Sequence, residues 1–393
     1  MNIELILRSI ATGAAVITLP GSLELAQLTL GSVLPQRRCK AKGEKEVRLA
    51  VVIPAHNEQD VIAGCLDSLL ASGAAQNPFD VFVVADNCTD KTAAIAHSKG
   101  VNVLERHDDQ LRGKGYALEF AFQYLRRGYE AFVVLDADSV VPVGFLDHFR
   151  QAFARGARAV QCVYLVANPE ETTATRLMDL SLRAFNKVRP LGRQRWGQSV
   201  GILGNGFGLS RSTLEKVPYV ATSVVEDLEY HLELLRAGIK VELLPDVQVN
   251  GLMPTTSKAR STQRARWEGG RLRMIREFVP RLAGRVLSGR LEALEPLMDL
   301  LLLPLSFHTL LLLLAATLGS GPWRIVASAG LGVLVLHILA AVRAGNSPAR
   351  DLRAMASIPG YILWKLTRLP MILAASLRGA AWVRTERPAK EGA

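Results

Sequence analysis

Leu49-Ala50-Val51-Val52-Ile53-Pro54-Ala55-His56-Asn57-Glu58 is the stretch on which the fold turns. Its first half is a short apolar run rich in β-branched side chains, which reads as a strand buried on both faces of a parallel sheet. A helical pattern follows over 58–70. The alternation then repeats. Phe79-Asp80-Val81-Phe82-Val83-Val84 is a second strand, Asp90 opens a helix, a third strand falls at 101–104, and 114–126 is helical. Phe132-Val133-Val134-Leu135 is a fourth strand that ends in Asp136. Alternating strands and helices predict an α/β domain over 47–285 with a mostly parallel central sheet. Such sheets bind ligands at the carboxyl ends of their strands, and that is where the polar residues of this chain cluster.

Six short motifs carry the candidate chemistry. Pro54-Ala55-His56-Asn57-Glu58 is a strand-to-helix turn with free N–H groups, suited to a nucleotide, although Asn57 would equally cap an ordinary helix. Asp86 in Ala85-Asp86-Asn87-Cys88-Thr89-Asp90 can accept a hydrogen bond from a base or ribose, while Asp90 reads as a helix cap. In Arg112-Gly113-Lys114-Gly115, Lys114 stands between glycines at a helix start and can meet a phosphate or base; a plain surface lysine is the alternative. The P-loop spacing is absent. Asp136-Ala137-Asp138 closes the fourth strand. An i, i+2 pair in extended chain points to opposite faces, but a turn at the strand end lets both carboxylates approach one cation. Two carboxylates plus diphosphate oxygens suit Mg²⁺ or Mn²⁺.

Val225-Glu226-Asp227 opens a helix over 228–236. A carboxylate there is held charged by the helix dipole, as a general base must be; simple capping by Asp227 is the alternative. In Gln263-Arg264-Ala265-Arg266-Trp267, Gln263 and Arg266 share a helix face. Arg266 can neutralise a diphosphate and Trp267 can face a sugar ring; a basic amphipathic helix at a membrane is the alternative. Gly204-Asn205-Gly206-Phe207-Gly208 reads as a flexible loop that lets backbone approach an acceptor, or as a plain turn.

Taken in this order, the motifs resemble family 2 glycosyltransferases with a GT-A fold, in the membrane-bound branch of cellulose, chitin and hyaluronan synthases and ceramide glucosyltransferase-like enzymes. The resemblance covers residues 48–277. It implies an inverting transfer from a nucleotide-sugar, with a UDP-sugar as donor. Ala55, Glu58, Asp86, Lys114 and Asp136 would hold the donor together with Gln263, Arg266 and Trp267. Asp136 and Asp138 would bind the metal, and Asp227 would be the base. Glu226, Asp227, Gly204, Asn205 and Trp267 would meet the acceptor, and Arg266 would assist catalysis at the leaving diphosphate. Val225 stands where the family often has threonine, a minor departure because that position is not the base.

The ends of the chain carry another signal. The chain has 393 residues and a net charge of +11, from 47 Lys+Arg against 36 Asp+Glu. No zinc spacing, helix-turn-helix or aromatic RNA-binding motif is present, which argues against nucleic acid. Basic residues cluster instead after the fifth motif and beside the last apolar segments, where they suit a membrane surface and a diphosphate. Segment 10–34 is mostly apolar but interrupted by Pro20 and Glu24. It reads as a retained anchor, with a signal peptide as the alternative that the weakly charged start and the lack of a small-residue cleavage site disfavour. Arg37, Arg38, Lys40, Lys42 and Lys45 follow it. By the positive-inside rule they stay in the cytoplasm. Segments 297–318 and 325–342 form a hairpin of two spans about the turn at 319–322. Segment 355–377 carries Lys365 and Arg368, costly in a span, and reads as a helix in the interface with its basic face to the headgroups, a third C-terminal span being the alternative. The tail from Arg384 is polar. The expected organisation is an anchor and basic linker at 1–46, the catalytic domain at 47–285, and the hairpin, interfacial helix and tail at 286–393. This places a multi-pass protein in the cell membrane with its catalytic domain on the cytoplasmic side. Cys39, Cys65, Cys88 and Cys162 are scattered, consistent with buried thiols in a reducing compartment.

Rival functions fit less well. A nucleotidyltransferase needs an early Gly-rich triphosphate loop, and a dinucleotide-dependent dehydrogenase needs G-x-G-x-x-G after the first strand. The small membrane part favours a lipid or lipid-linked acceptor, with processive polysaccharide synthesis as the alternative. A non-catalytic nucleotide-sugar-binding subunit is the remaining reading, and it would be expected to lack Asp227 or one of the D-x-D carboxylates.

Overall fold

The computed structural model describes residues 3–36, 46–73, 79–220 and 226–377. Arg37, Arg38, Cys39, Lys40, Lys42, Lys45, Val225 and the tail from Arg384 lie outside the described residues. The chain divides into two compact units. One holds the described residues of Arg37–Leu182 and Ser199–Thr256; the other holds those of Met1–Gln36, Arg183–Gln198 and Ser257–Thr385. The units interleave along the chain, whereas the sequence suggested three consecutive segments.

The first unit is built on an eight-stranded sheet. Its strands are β1 (Leu49–Ala55), β2 (Phe79–Asp86), β3 (Asn102–Arg106), β4 (Ala131–Val134), β5 (Ser139–Val140), β6 (Ala159–Val166), β7 (Phe207–Ser210) and β8 (Val241–Gly251). They lie in the order β3-β2-β1-β4-β7-β6-β8-β5. β3, β2, β1 and β4 pair in parallel, with Leu49 opposite Phe79 on one side and Ala131 on the other. β7 runs antiparallel to both β4 and β6, and β5 antiparallel to β8. The sheet is therefore mostly parallel, as predicted. β1, β2 and β4 stand where the apolar runs placed them, because a strand covered on both faces must be apolar throughout; β3 lies at the sheet edge, is only partly covered, and runs on to Arg106, past the expected 101–104. Leu49 through Ile53 are all fully buried, and Phe132, Phe145, Phe149 and Phe207 fill the layers around them. The pairing of β6 with β8 slips between Cys162 and Val163, bringing Gln248 rather than Pro245 opposite Val163. Proline has no ladder donor and is tolerated at such an irregularity.

The helix expected from 58 begins later, at Ile62. The N–H groups of Glu58 and Gln59 bond instead to Thr92 Oγ1 (2.8 Å) and Asp90 Oδ2 (3.1 Å), which holds 58–61 as a turn.

The second unit is helical. Its first helix, Ile3–Val33, continues through Pro20. Glu24, read as an interruption of an anchor, is buried and paired with Arg193 at 2.8 Å; Arg193 also meets Asp299 at 2.9 Å. Gly192 packs so closely on this helix that a Cβ there would lie 2.1 Å from the Leu28 carbonyl oxygen, the small-residue contact that lets helix backbones meet. Ser22 and Thr29 bond to His308 (3.1 Å) and His337 (2.8 Å) on the later helices.

Ile3–Val33 and Gly321–Arg343 are each long and apolar enough to cross a membrane. Segment 297–318, expected as one span, is broken: helices Leu291–Leu301 and Leu305–Leu318 meet at 81°. Pro304 disfavours helix in the residue before it, and Arg271 donates to the carbonyls of Asp299 and Leu302 freed at the break. Segment 355–377 is likewise not one helix. Ile358–Leu366 and Leu369–Ala375 each restart at a proline. Lys365 does not face outward: it is buried, 2.7 Å from Glu268, with its ammonium 4.5 Å from the Phe307 ring centre. Burial lowers its pKa, with Glu268 opposing.

Candidate active site

At the carboxyl ends of β1, β2 and β3 the loops are laced together. Asn57 and Asn87 both adopt left-handed backbone, with φ of 56° and 51°, a conformation asparagine tolerates better than most residues. Asn57 Oδ1 accepts from Thr89 N (2.8 Å), and Asn87 Oδ1 accepts from Asp108 N (2.8 Å). His56 Nδ1 lies 2.7 Å from the Asp86 carbonyl oxygen. The Cys88 thiol donates to the Ala55 carbonyl at 3.4 Å. Asp86 is nearly fully buried and its Oδ1 receives Arg106 at 2.7 Å and Asn87 Nδ2 at 3.1 Å. Arg106 was not anticipated; it lies on β3, distant in sequence but adjacent in the sheet.

The next strand end carries the two carboxylates. Ser139 N donates to the Asp136 carbonyl at 3.0 Å, closing a turn immediately after β4. Ala137 between them is buried, whereas Asp136 and Asp138 are half-exposed. Both act on one neighbour: burial pushes the Cys65 thiol pKa far up, and the charges of Asp138 and Asp136 push it further. The two carboxylates thus flank one turn at the end of β4.

Lys114 begins the helix Lys114–Leu125. A cation at the positive end of a helix dipole is unfavourable by itself; this one is held by other charges. Its ammonium donates to Asp136 Oδ1 and to the Gly204 carbonyl. Burial disfavours the ammonium, but Asp136, Glu226 and Asp227 outweigh it and raise the pKa. Glu226 and Asp227 form the first turn of the helix Glu226–Arg236. Asp227 Oδ1 accepts from Leu228 N at 2.8 Å. Burial, then the adjacent Asp227 charge, push the Glu226 carboxyl up to about 7. Burial raises Asp227 too, against the Leu228 N–H and the Lys114 charge.

Gly204 closes the group. Its φ is +78°, and a Cβ there would lie 3.0 Å from Asp227 Oδ2 and 3.9 Å from Lys114 Nζ. One ammonium, three carboxylates and a bare backbone therefore meet in one place: Lys114, Asp136, Glu226, Asp227 and Gly204. The segment around Gly204 is not the flexible loop expected from its glycines. Gln161 Nε2 donates to the Asn205 carbonyl at 2.8 Å and Gln161 Oε1 accepts from Leu203 N at 2.9 Å. Asn205, expected to touch an acceptor, is fully buried; its Oδ1 accepts from Asp136 N (3.1 Å) and the Ser139 hydroxyl (3.1 Å). Gln161 and Ser139 carried no sequence signal beyond being polar residues among apolar ones.

Gln263, Arg266 and Trp267 belong to the helical unit, on the helix Ser257–Leu287. Gln263 is buried, and among the described residues its Oε1 has no hydrogen-bond partner. Arg266 and Trp267 are half-exposed, with Arg264 6.0 Å from the Trp267 ring centre. Among the described residues no group of three or more His, Cys, Asp or Glu is placed to hold a metal. Among the described residues, Asp136 and Asp138 are a carboxylate pair whose chemistry fits Mg²⁺ or Mn²⁺ completing its shell with substrate phosphate and water.

The family model described as "Glycosyltransferase like family 2" matches residues 47–270. The probable glycosyltransferase YdaM of Bacillus subtilis is 24% identical over 241 residues, 59% of this chain and 57% of its own length. The beta-monoglucosyldiacylglycerol synthase of a Nostoc species is 29% identical over 239 residues, 58% of this chain and 50% of its own. The chain thus spans about half the length of the curated relatives it matches. Among solved structures, the mannosyltransferase PcManGT from Pyrobaculum calidifontis, in complex with GDP-Man and Mn²⁺, covers 94% of this chain and 97% of its own at TM-score 0.55 and 19% identity. That likeness is one of fold, and the fold is GT-A.

Proposed function

Because the chain belongs to the family 2-like glycosyltransferases, we propose that it moves a sugar from a nucleotide-sugar, with a UDP-sugar as first choice, to a hydroxyl of a lipid, lipid-linked or growing glycan acceptor. The observation that carries this reading is the meeting of Lys114, Asp136, Glu226, Asp227 and Gly204 at the carboxyl ends of the parallel strands. The donor diphosphate is assigned to Lys114 and the D-x-D turn. Asp136 and Asp138 would hold a divalent cation there; when bound, it supplies charge that eases departure of the diphosphate.

Asp227 is assigned as the general base. It takes the proton of the acceptor hydroxyl while that oxygen bonds to the anomeric carbon and the bond to the diphosphate breaks on the opposite face, so the configuration inverts. Its place at a helix N-terminus beside Lys114 opposes the burial that raises its pKa, and a raised pKa makes the ionised carboxylate a stronger proton acceptor. Ala55, Glu58 and Asp86 are assigned to the nucleoside, Asp86 through the edge left by Arg106. Glu226 and the Gly204 backbone are assigned to the acceptor side. Gln263, Arg266 and Trp267 are assigned to the diphosphate and sugar on the strength of their motif alone.

The apolar helices Ile3–Val33 and Gly321–Arg343 support attachment to a membrane, and the cytoplasmic face is the side on which nucleotide-sugars would be met. The printed name of the Nostoc relative favours a lipid acceptor; processive polysaccharide synthesis is the second reading. The test is nucleotide release by detergent-purified protein from a panel of UDP- and GDP-sugars, with Mg²⁺ or Mn²⁺ and with EDTA. Metal-dependent release from one donor supports the proposal. Absence of release and of binding for every donor, with and without added lipids, refutes it.

A further inference from the structure

We propose that Gln161 is a positioning residue for sugar transfer, fixing the segment 203–206 and, through it, Lys114, Asp136 and Asp227. This rests on the reading of those three as the reacting group. Gln161 lies on β6, fully buried between Val160 and Cys162. A polar side chain in such a place must find partners, and the ones it finds all belong to its own strand or to 203–206. Its Nε2 donates to the carbonyls of Asn205 (2.8 Å), Gly206 (3.1 Å) and Cys162 (2.9 Å). Its Oε1 accepts from Leu203 N at 2.9 Å. One amide therefore bridges both ends of a four-residue turn.

At its Gly206 end the turn is also tied by backbone bonds, from Gly206 N to the Val134 carbonyl (3.0 Å) and from Cys162 N to the Gly206 carbonyl (2.8 Å); what Gln161 adds is the hold on Leu203 N and the Asn205 carbonyl. Gly204 and Gly206 have φ of +78° and +68°, and glycine has little conformational preference of its own. Yet the turn makes three placements. The Gly204 carbonyl receives Lys114, whose other bond is to Asp136. The Asn205 side chain receives the Asp136 N–H at 3.1 Å. The Gly204 Cα lies against Asp227, where an added Cβ would be 3.0 Å from Oδ2. Asp136 keeps a second anchor in the turn bond from Ser139 N (3.0 Å) and Asp227 Oδ1 one in the bond from Leu228 N (2.8 Å), so loss of Gln161 should displace these groups slightly rather than release them. Loss of Gln161 should accordingly act on turnover more than on donor affinity.

The test uses full-length, detergent-purified wild type, Gln161→Met and Gln161→Glu. Methionine keeps the length and removes both hydrogen-bonding functions. A neutral glutamic acid retains one acceptor and one donor. Amide hydrogen exchange is followed by mass spectrometry, alongside nucleotide release from the donor the wild type uses. In Gln161→Met the peptide spanning 203–206 should lose about tenfold or more of its protection while β1–β4 stay protected. kcat should fall about 100-fold, the cost typical of a misplaced reacting group, with donor KM within about threefold. Gln161→Glu should recover part of both. The proposal is overturned by unchanged protection at 203–206, by lost protection with unchanged kcat, by Gln161→Glu behaving as Gln161→Met, or by loss of protection across the whole sheet. If the wild type releases no nucleotide from any donor, the functional reading fails, and the exchange data still decide whether Gln161 holds the turn.

Discussion

Replacing Gly204 by alanine imposes two separable penalties. The first is conformational: φ is +78°, and an L side chain in the left-handed region costs about 1–2 kcal/mol. For a unit of this size that lowers Tm by about 2–8 °C. The second is contact: the new methyl would sit 3.0 Å from Asp227 Oδ2, closer than ordinary van der Waals separation, so the carboxylate must move by a few tenths of an ångström. A shift of 1 Å can cost about 100-fold in rate, so about tenfold is expected here, or about 1.4 kcal/mol of barrier. Gly201→Ala is the control. Its φ is +91°, but its nearest neighbours, His231 Cε1 and Nδ1, lie at 3.8 Å. It should lose comparable Tm and keep its rate. Thermal melts and initial rates of nucleotide release on the three proteins decide the matter. Equal rate losses in both variants, or a Gly204→Ala protein with wild-type Tm and rate, would refute the placement of Asp227 against this backbone.

The other expected outcomes concern the base, the metal and the pH profile. Asp227→Asn should lower kcat by about 10³-fold, within the range for loss of a general base, while titration calorimetry finds UDP binding within about threefold of wild type; matching loss of nucleotide affinity would count against the base. Asp138→Asn and Asp136→Asn should each weaken activation by Mn²⁺ at least tenfold, and EDTA should abolish wild-type turnover; full activity in EDTA would remove the metal assignment. The raised carboxyl pKa values place the acid limb of kcat/KM well above the usual carboxylate range, towards the value of about 7 at Glu226, with activity rising with pH. The same shift works against folding at high pH: stability from the protonated carboxyl is full below its unfolded value and is lost as pH rises through about 7. Lys114→Met removes the charge that opposes the shift and should move the limb to higher pH; a limb moving to lower pH would show that Lys114 does not face these carboxylates.

Local pattern alone settled the parallel half of the sheet and the residues at its strand ends. β1, β2 and β4 were legible because a strand covered on both faces must be apolar along its whole length, and neighbouring residues suffice to show that; β3, half-covered at the sheet edge, was legible only from Val103 and Leu104. The D-x-D turn was legible because Asp136 follows directly on such a strand, and Glu226 and Asp227 because carboxylates at a helix start have a local reason to be there. What depended on distant partners was hidden. Asp86 answers to Arg106 and Glu24 to Arg193, pairs set by strand order and helix packing. Lys365 reads as a surface cation until Glu268 is placed beside it. The glycines of 203–206 reads as slack chain in sequence, and only the sheet brings Gln161 beneath them. A helix or strand period is encoded by residues a few positions apart, whereas a buried polar group is satisfied by whatever the completed fold brings within about 3 Å, and that no linear pattern specifies.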